Sequence, residues 1–162
     1  MIPWDEKVQP LEAAVRLCVK RREAGRKVVF TNGCFDLLHL GHLVYLKAAR
    51  DLGDFLVVGL NDDASVTRLK GPGRPLRPLR ERALMLAGLS FVDLVVPFAE
   101  DTPLKTIESI LPVILVKGGD YTPETVVGRN VVESCGGKVV IIPLVEGYST
   151  TGLLTELAKK GT

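Results

Sequence analysis

Short, predominantly apolar runs recur along the chain, and between them apolar positions fall three and four residues apart. KVVFT (27–31), FLVVGL (55–60), FVDLVV (91–96), VILV (113–116) and KVVII (138–142) are too short for buried helices and rich in β-branched residues. Each predicts a strand. Behind Pro10, the residues Leu11, Ala14, Val15 and Cys18 repeat at helical spacing, which predicts a helix over 10–24 ending at Gly25. Further helices are expected over about 41–52, 81–89, 103–110, 123–135 and 150–160. Strands apolar along their whole length must be covered on both faces, and alternation with helices implies parallel pairing. The expected fold class is therefore α/β, a doubly wound parallel five-stranded sheet with helices on both faces, plus an N-terminal helix. At 162 residues the chain reads as one domain, with a helical extension over 1–26 and a core over 27–160.

Charge changes this picture little. Twenty-one basic and 19 acidic residues leave a net +2, with no global excess for a polyanionic partner or a membrane surface. The one uneven stretch is RLKGPGRPLRPLRER (68–82), with six basic residues, one acid and no aromatic to stack bases. A nucleic-acid partner is not expected from it. No apolar run approaches the ~20 residues of a bilayer span, and MIPWDEKVQP has no leader pattern. Cys18, Cys34 and Cys135 form no CxxC pair and read as free thiols in a reducing compartment, so the expected location is cytoplasmic.

Ligands of doubly wound sheets bind at the carboxyl ends of the strands, which singles out the loops 31–42, 117–121 and 146–151. The first contains neither GxGxxG nor a P-loop. It does contain both histidines of the chain, in TNGCFDLLHLGH. On a helix, His39 and His42 share a face, and Gly41 lets a ligand approach the backbone closely. A helix N-terminus with two imidazole donors suits a phosphate whose charge grows in a transition state. Two alternatives stand beside this: a structural histidine pair, and a zinc site completed by Cys34 or Asp36 that lacks the usual i, i+4 spacing. Asp36 itself reads as a loop-orienting carboxylate, since it would repel a triphosphate. Asp62 and Asp63 read as caps of the next segment.

Ser149, Thr150 and Thr151 precede the last helical stretch and read either as a helix cap or as contacts to terminal phosphates. KGGDY (117–121) is either a plain turn or exposed backbone shaping a base pocket. The basic loop 68–82 is expected to lack regular structure up to about Arg80. It is either a solvated connector or a lid closing over two anionic substrates, with Lys70 the first candidate for a phosphate contact and Arg82 the next.

TNGCFDLLHLGH resembles the HxGH motif of the nucleotidyltransferase superfamily that includes glycerol-3-phosphate cytidylyltransferase and phosphopantetheine adenylyltransferase. EGYSTT resembles its second motif. The ordered blocks TNGCFDLLHLGH, NDDASVTRLKG, RPLRPLRERA, EDTP, LVKGGDY and EGYSTT, over about 27–158, are similar to the adenylyltransferases of ADP-heptose biosynthesis in their stand-alone form. The resemblance implies a Rossmann-like fold and transfer of AMP from ATP to D-glycero-β-D-manno-heptose 1-phosphate, giving ADP-heptose and pyrophosphate without a covalent intermediate. It implies that His39 and His42 donate to the phosphates, with Lys70 as a further catalytic cation and Arg82 beside it on the substrate phosphate. Thr31, Asn32, Gly33, Cys34, Phe35 and Gly41 would line the nucleotide floor. Lys117, Gly118, Gly119 and Asp120 would border the base, and Ser149, Thr150 and Thr151 the β- and γ-phosphates. Mg²⁺ would be bound mainly through ATP, no direct protein ligand is assigned, and a homodimer is expected. The arginine that some cytidylyltransferases carry just before the second motif is missing from PLVEG. Two other functions remain in view: a cytidylyltransferase for a polyol phosphate such as glycerol 3-phosphate, and a non-catalytic nucleotide- or nucleic-acid-binding module.

Overall fold

Five parallel strands form one sheet in the order β3-β2-β1-β4-β5: β1 Val28–Gly33, β2 Phe55–Asn61, β3 Leu94–Phe98, β4 Ile114–Gly118 and β5 Lys138–Ile142. The computed structural model describes residues 3–119 and 121–143. Asp120, the predicted helix 150–160 and the Ser149–Thr151 cluster lie outside that range. Successive side chains of a strand point to opposite faces, so each apolar strand feeds two cores. Val29, Leu56, Val58, Leu60, Val95 and Val116 pack on one face against α2 (Leu40–Asp51) and α4 (Leu79–Ala87), through Leu46, Ala49 and Leu86. Val28, Phe30, Val57, Leu94 and Leu115 pack on the other against α1 (Leu11–Glu23), α5 (Leu104–Ile110) and α6 (Arg129–Ser134), through Ala14, Cys18, Ile107, Ile110 and Val132.

Helices on one face connect β1 to β2 to β3, and those on the other connect β3 to β4 to β5, as right-handed crossovers require. The strand order therefore reverses between β1 and β4, and a crevice opens above that pair.

The predicted elements differ from the observed ones in four places. The apolar run 91–96 is buried early but paired late, because Asp93 turns back to accept the Leu56 amide at 2.8 Å and the strand starts only at Leu94. The helix expected over 123–135 is broken into a 3₁₀ turn, Pro123–Thr125, and α6. Gly128 between them adopts φ 88°, and a Cβ there would meet Ile107 at 2.7 Å. An unpredicted helix, α3 (Asp63–Lys70), is capped by Asp62, whose carboxylate accepts the Ser65 amide at 2.7 Å. Residues 68–70 are thus helical, and regular structure resumes at Leu79. Finally, residues 3–9 run along the β3 edge: the Gln9 amide donates to the Val95 carbonyl at 3.0 Å and Lys7 Nζ to the Leu89 carbonyl at 3.1 Å.

Candidate active site

The loop leaving β1 delivers both histidines to the crevice. His39 is the N-cap of α2 in extended backbone (φ −140°, ψ 171°), not a member of the helix, and its carbonyl accepts the His42 amide at 2.9 Å. The shared face expected from i, i+3 helical spacing is reached by another route: the rings stack with centroids 3.8 Å apart and planes 22° apart. Both Nδ1 atoms are buried without a hydrogen-bond partner. Burial lowers the His42 pKa to about 4, helped by the neighbouring His39, while the Leu37 backbone works weakly the other way. Burial also lowers that of His39. At neutral pH the pair is two uncharged imidazoles, hydrogen-bond donors rather than resident cations.

Beneath them, Phe35 takes φ 44° and sets its ring 5.2 Å from that of His42. Gly33 is required at the end of β1 because a Cβ there would sit 2.9 Å from the Phe35 ring.

The histidines open into a cavity of about 770 Å³. It brings together the predicted Asn32, Gly33, Cys34, Phe35, His39, Gly41, His42, Lys70, Lys117 and Gly118. Lys117, at the end of β4, donates to Asn32 Oδ1 at 2.6 Å and lies 5.4 Å from the centroid of the Tyr121 ring. Burial lowers its pKa to about 8. The Cys34 thiol is raised by burial, against the pull of Lys70 and Arg82, so it is protonated and no nucleophile.

Three expected contacts are corrected. Thr31 is fully buried behind the site, where its hydroxyl meets Tyr45 Oη at 2.7 Å. That tyrosine lies one turn beyond His42 on the same face of α2, a spacing visible in the sequence but read only for the histidines. Gly119 turns away, its amide donating to the Ile142 carbonyl at 3.1 Å. Arg82 is 1% exposed and spends its donors internally: on the carbonyls of Cys34 (2.7 Å), Asn61 (2.8 Å) and Arg77 (3.0 Å) and on Asp63 (2.7 Å). It ties the loops after β1 and β2 to α4 and, buried among these partners, does not line the cavity.

The cation that faces the cavity in its place is Arg74. Asp36 holds it by an ion pair of 2.5 Å and also accepts the amides of Leu76 (2.7 Å) and Arg77 (3.2 Å). The loop-orienting role expected of Asp36 is what the structure shows, and the segment 71–78 is tethered rather than open and solvated. Asp36 is thereby turned from the histidines, and among the described residues no three His, Cys, Asp or Glu side chains gather as a metal site. Tyr45, Asn61, Arg74, Asp101, Thr102 and Tyr121 also line the cavity and were not singled out from the sequence. Five of them, Asn61, Arg74, Asp101, Thr102 and Tyr121, fall inside the quoted blocks NDDASVTRLKG, RPLRPLRERA, EDTP and LVKGGDY, which pointed near the site without naming them.

A family model described as cytidylyltransferase-like matches residues 30–151, from within β1 through both histidines and β2 to β5. The chain belongs to the cytidylyltransferase-like family. Members of this family share the Rossmann-like nucleotidyltransferase fold seen here. Among its relatives is a bifunctional protein HldE from Syntrophotalea carbinolica, 56% identical over 156 residues, covering 96% of this chain and 32% of that protein. Another, from Trichlorobacter lovleyi, is 54% identical over 158 residues, covering 98% of this chain and 32% of that protein. The chain spans about a third of the length of these curated relatives. A similar solved structure is that of the lipopolysaccharide core biosynthesis protein from Thermoplasma volcanium. It has a TM-score of 0.62 and 29% identity, and the match covers 77% of this chain and all of that one. No helix among the described residues is long and apolar enough to cross a membrane.

Proposed function

We propose that this protein is an adenylyltransferase that moves AMP from ATP to a sugar 1-phosphate, specifically D-glycero-β-D-manno-heptose 1-phosphate, releasing pyrophosphate. The observation that carries this reading is the stacked, uncharged histidine pair at the head of α2, in a cavity with Lys117 in one part and Lys70 and Arg74 in another. The bifunctional HldE relatives and the lipopolysaccharide core neighbour support the choice of sugar.

In this reading an acceptor phosphate oxygen attacks the α-phosphorus in line with the β-bridging oxygen. A new P–O bond forms, the bridging bond breaks, and the electron pair leaves on pyrophosphate. The acceptor is already an anion, so no general base is needed. His39 and His42 donate from their cavity-facing nitrogens to phosphate oxygens as charge builds there, and the ordered stack avoids reorganisation at that moment. Lys117, which holds its proton less firmly than a free lysine in the empty cavity, meets the charge of the triphosphate as it approaches. Mg²⁺ would be carried on the ATP phosphates, facing the histidines, Lys117 and Lys70, and would supply charge neutralisation there.

The test is pyrophosphate release with ATP or CTP against a panel of sugar and polyol phosphates. The reading expects turnover with ATP and the heptose 1-phosphate, abolished by EDTA. Preference for CTP with glycerol 3-phosphate would replace it with the polyol cytidylyltransferase, and no release with any pair would leave a nucleotide-binding module.

A further inference from the structure

One wall of the cavity is built differently from the rest. The wall made by β1, α2 and β4 presents the histidines, Asn32 and Lys117. The opposite one is made by the end of β2, α3 and residues 101–103 of the loop after β3, and side chains stitch it together. Asn61, 3% exposed, donates from Nδ2 to Ser65 Oγ at 2.9 Å, and that hydroxyl donates to the Glu100 carbonyl at 3.1 Å. Arg68 donates from Nη2 to the Ala99 carbonyl at 2.7 Å and from Nε to Asp101 Oδ1, also at 2.7 Å. Asp101 is thus aimed by α3 although it belongs to another loop. Its Oδ2 and the Thr102 hydroxyl have no hydrogen-bond partner among the described residues, and both residues line the cavity. Lys70 and Arg74 line the same cavity, as does Cys34.

We propose that this wall is the acceptor subsite, in which Asp101 and Thr102 recognise hydroxyl groups of a sugar or polyol phosphate whose phosphate lies toward Lys70 and Arg74. The inference rests on the transferase reading and adds the residues that select the acceptor. A phosphate requires cations, and on this side these are Lys70 and the guanidinium of Arg74, whose Nε is held by Asp36. A fixed carboxylate does the opposite: it repels a second phosphate chain, so that another ATP or free pyrophosphate is disfavoured here. It also accepts two hydrogen bonds from neighbouring hydroxyls, which a bare phosphate or a hydrocarbon phosphate cannot supply. Arg68 is a positioning residue that touches no substrate and holds Oδ1 of the exposed Asp101 carboxylate by an ion pair of 2.7 Å.

The experiment is steady-state kinetics with heptose 1-phosphate varied at saturating ATP, then the reverse. Asp101→Asn and Thr102→Val should raise the acceptor KM by about tenfold and several-fold respectively, with the ATP KM within about twofold of wild type. Arg68→Met should raise the acceptor KM without moving the ATP KM, and Arg68→Lys should recover part of the loss. The thermal midpoints of Asp101→Asn and Thr102→Val should stay at the wild-type value, since both side chains are exposed. An unchanged acceptor KM in both of these variants, with wild-type turnover intact, overturns the inference and leaves the transferase reading standing. If wild type releases no pyrophosphate at all, that reading fails instead. Calorimetric titration of heptose 1-phosphate into wild type and Asp101→Asn then decides the subsite alone, and equal affinities overturn it.

Discussion

At the scale of single residues, the site separates groups that meet charge from groups that only hold the frame. His39 and His42 belong to the first kind. Replacing either with Ala should lower kcat by about 10²-fold or more, since each removes a preorganised donor from the site. The same burial has a stability signature. His42 titrates near 4 in the fold and near 6.5 when unfolded, so between those values the unfolded chain binds the extra proton. Stability should therefore fall as pH drops from about 6.5 to 4, and His42→Gln should flatten that slope in urea titrations at pH 7 and 4.5. Arg82 and Lys70, paired in the sequence reading as phosphate cations, should behave in opposite ways. Arg82→Met strands three carbonyls and Asp63 and should cost about 3–5 kcal/mol of folding stability. Lys70→Met, on an exposed position, should leave the urea midpoint unchanged while slowing turnover.

At the scale of elements, one carboxylate sets the position of a whole connection. Asp36 sits in the loop after β1, yet its three bonds go to Arg74, Leu76 and Arg77, some forty residues on. Like charges in 68–82 favour an extended chain, but a buried carboxylate, 5% exposed, outweighs that repulsion by neutralising Arg74 and satisfying two amides. Asp36→Asn should release the segment. Trypsin should then cleave after Lys70, where the segment begins, several-fold faster than in wild type, with or without ATP; the bonds after Arg74 and Arg77 precede proline and resist it. The loop after β1 and the segment 71–78 are thus coupled through one side chain, which a proline- and arginine-rich stretch does not suggest by itself.

At the scale of the whole molecule, the N-terminal segment guards the sheet. Val8 and Gln9 pair with Val95 on β3, the edge strand, and Lys7 reaches the turn before it. Removing residues 1–9 should lower the thermal midpoint and promote concentration-dependent association through the uncovered edge, as light scattering during heating would show. The parallel sheet, its strands and the two-faced core were legible along the chain, because predominantly apolar runs of about five residues admit few other fates. So was the placement of the histidines, since a single glycine-spaced pair after the first strand can only lie at the carboxyl edge. Long-range partnership was not legible. Whether an arginine faces a phosphate or three carbonyls depends on which loops the sheet order brings beside it, and Arg82 and Arg74 are indistinguishable in the string RPLRPLRER. Thr31 and Tyr45, the break at Gly128 against Ile107, and the wall built by Arg68 and Asp101 are of the same kind. Local pattern determined the elements and the kind of chemistry; the tertiary structure alone decided which side chains are spent on the frame and which are left to bind, because hydrogen-bond donors are satisfied by whatever the fold sets next to them.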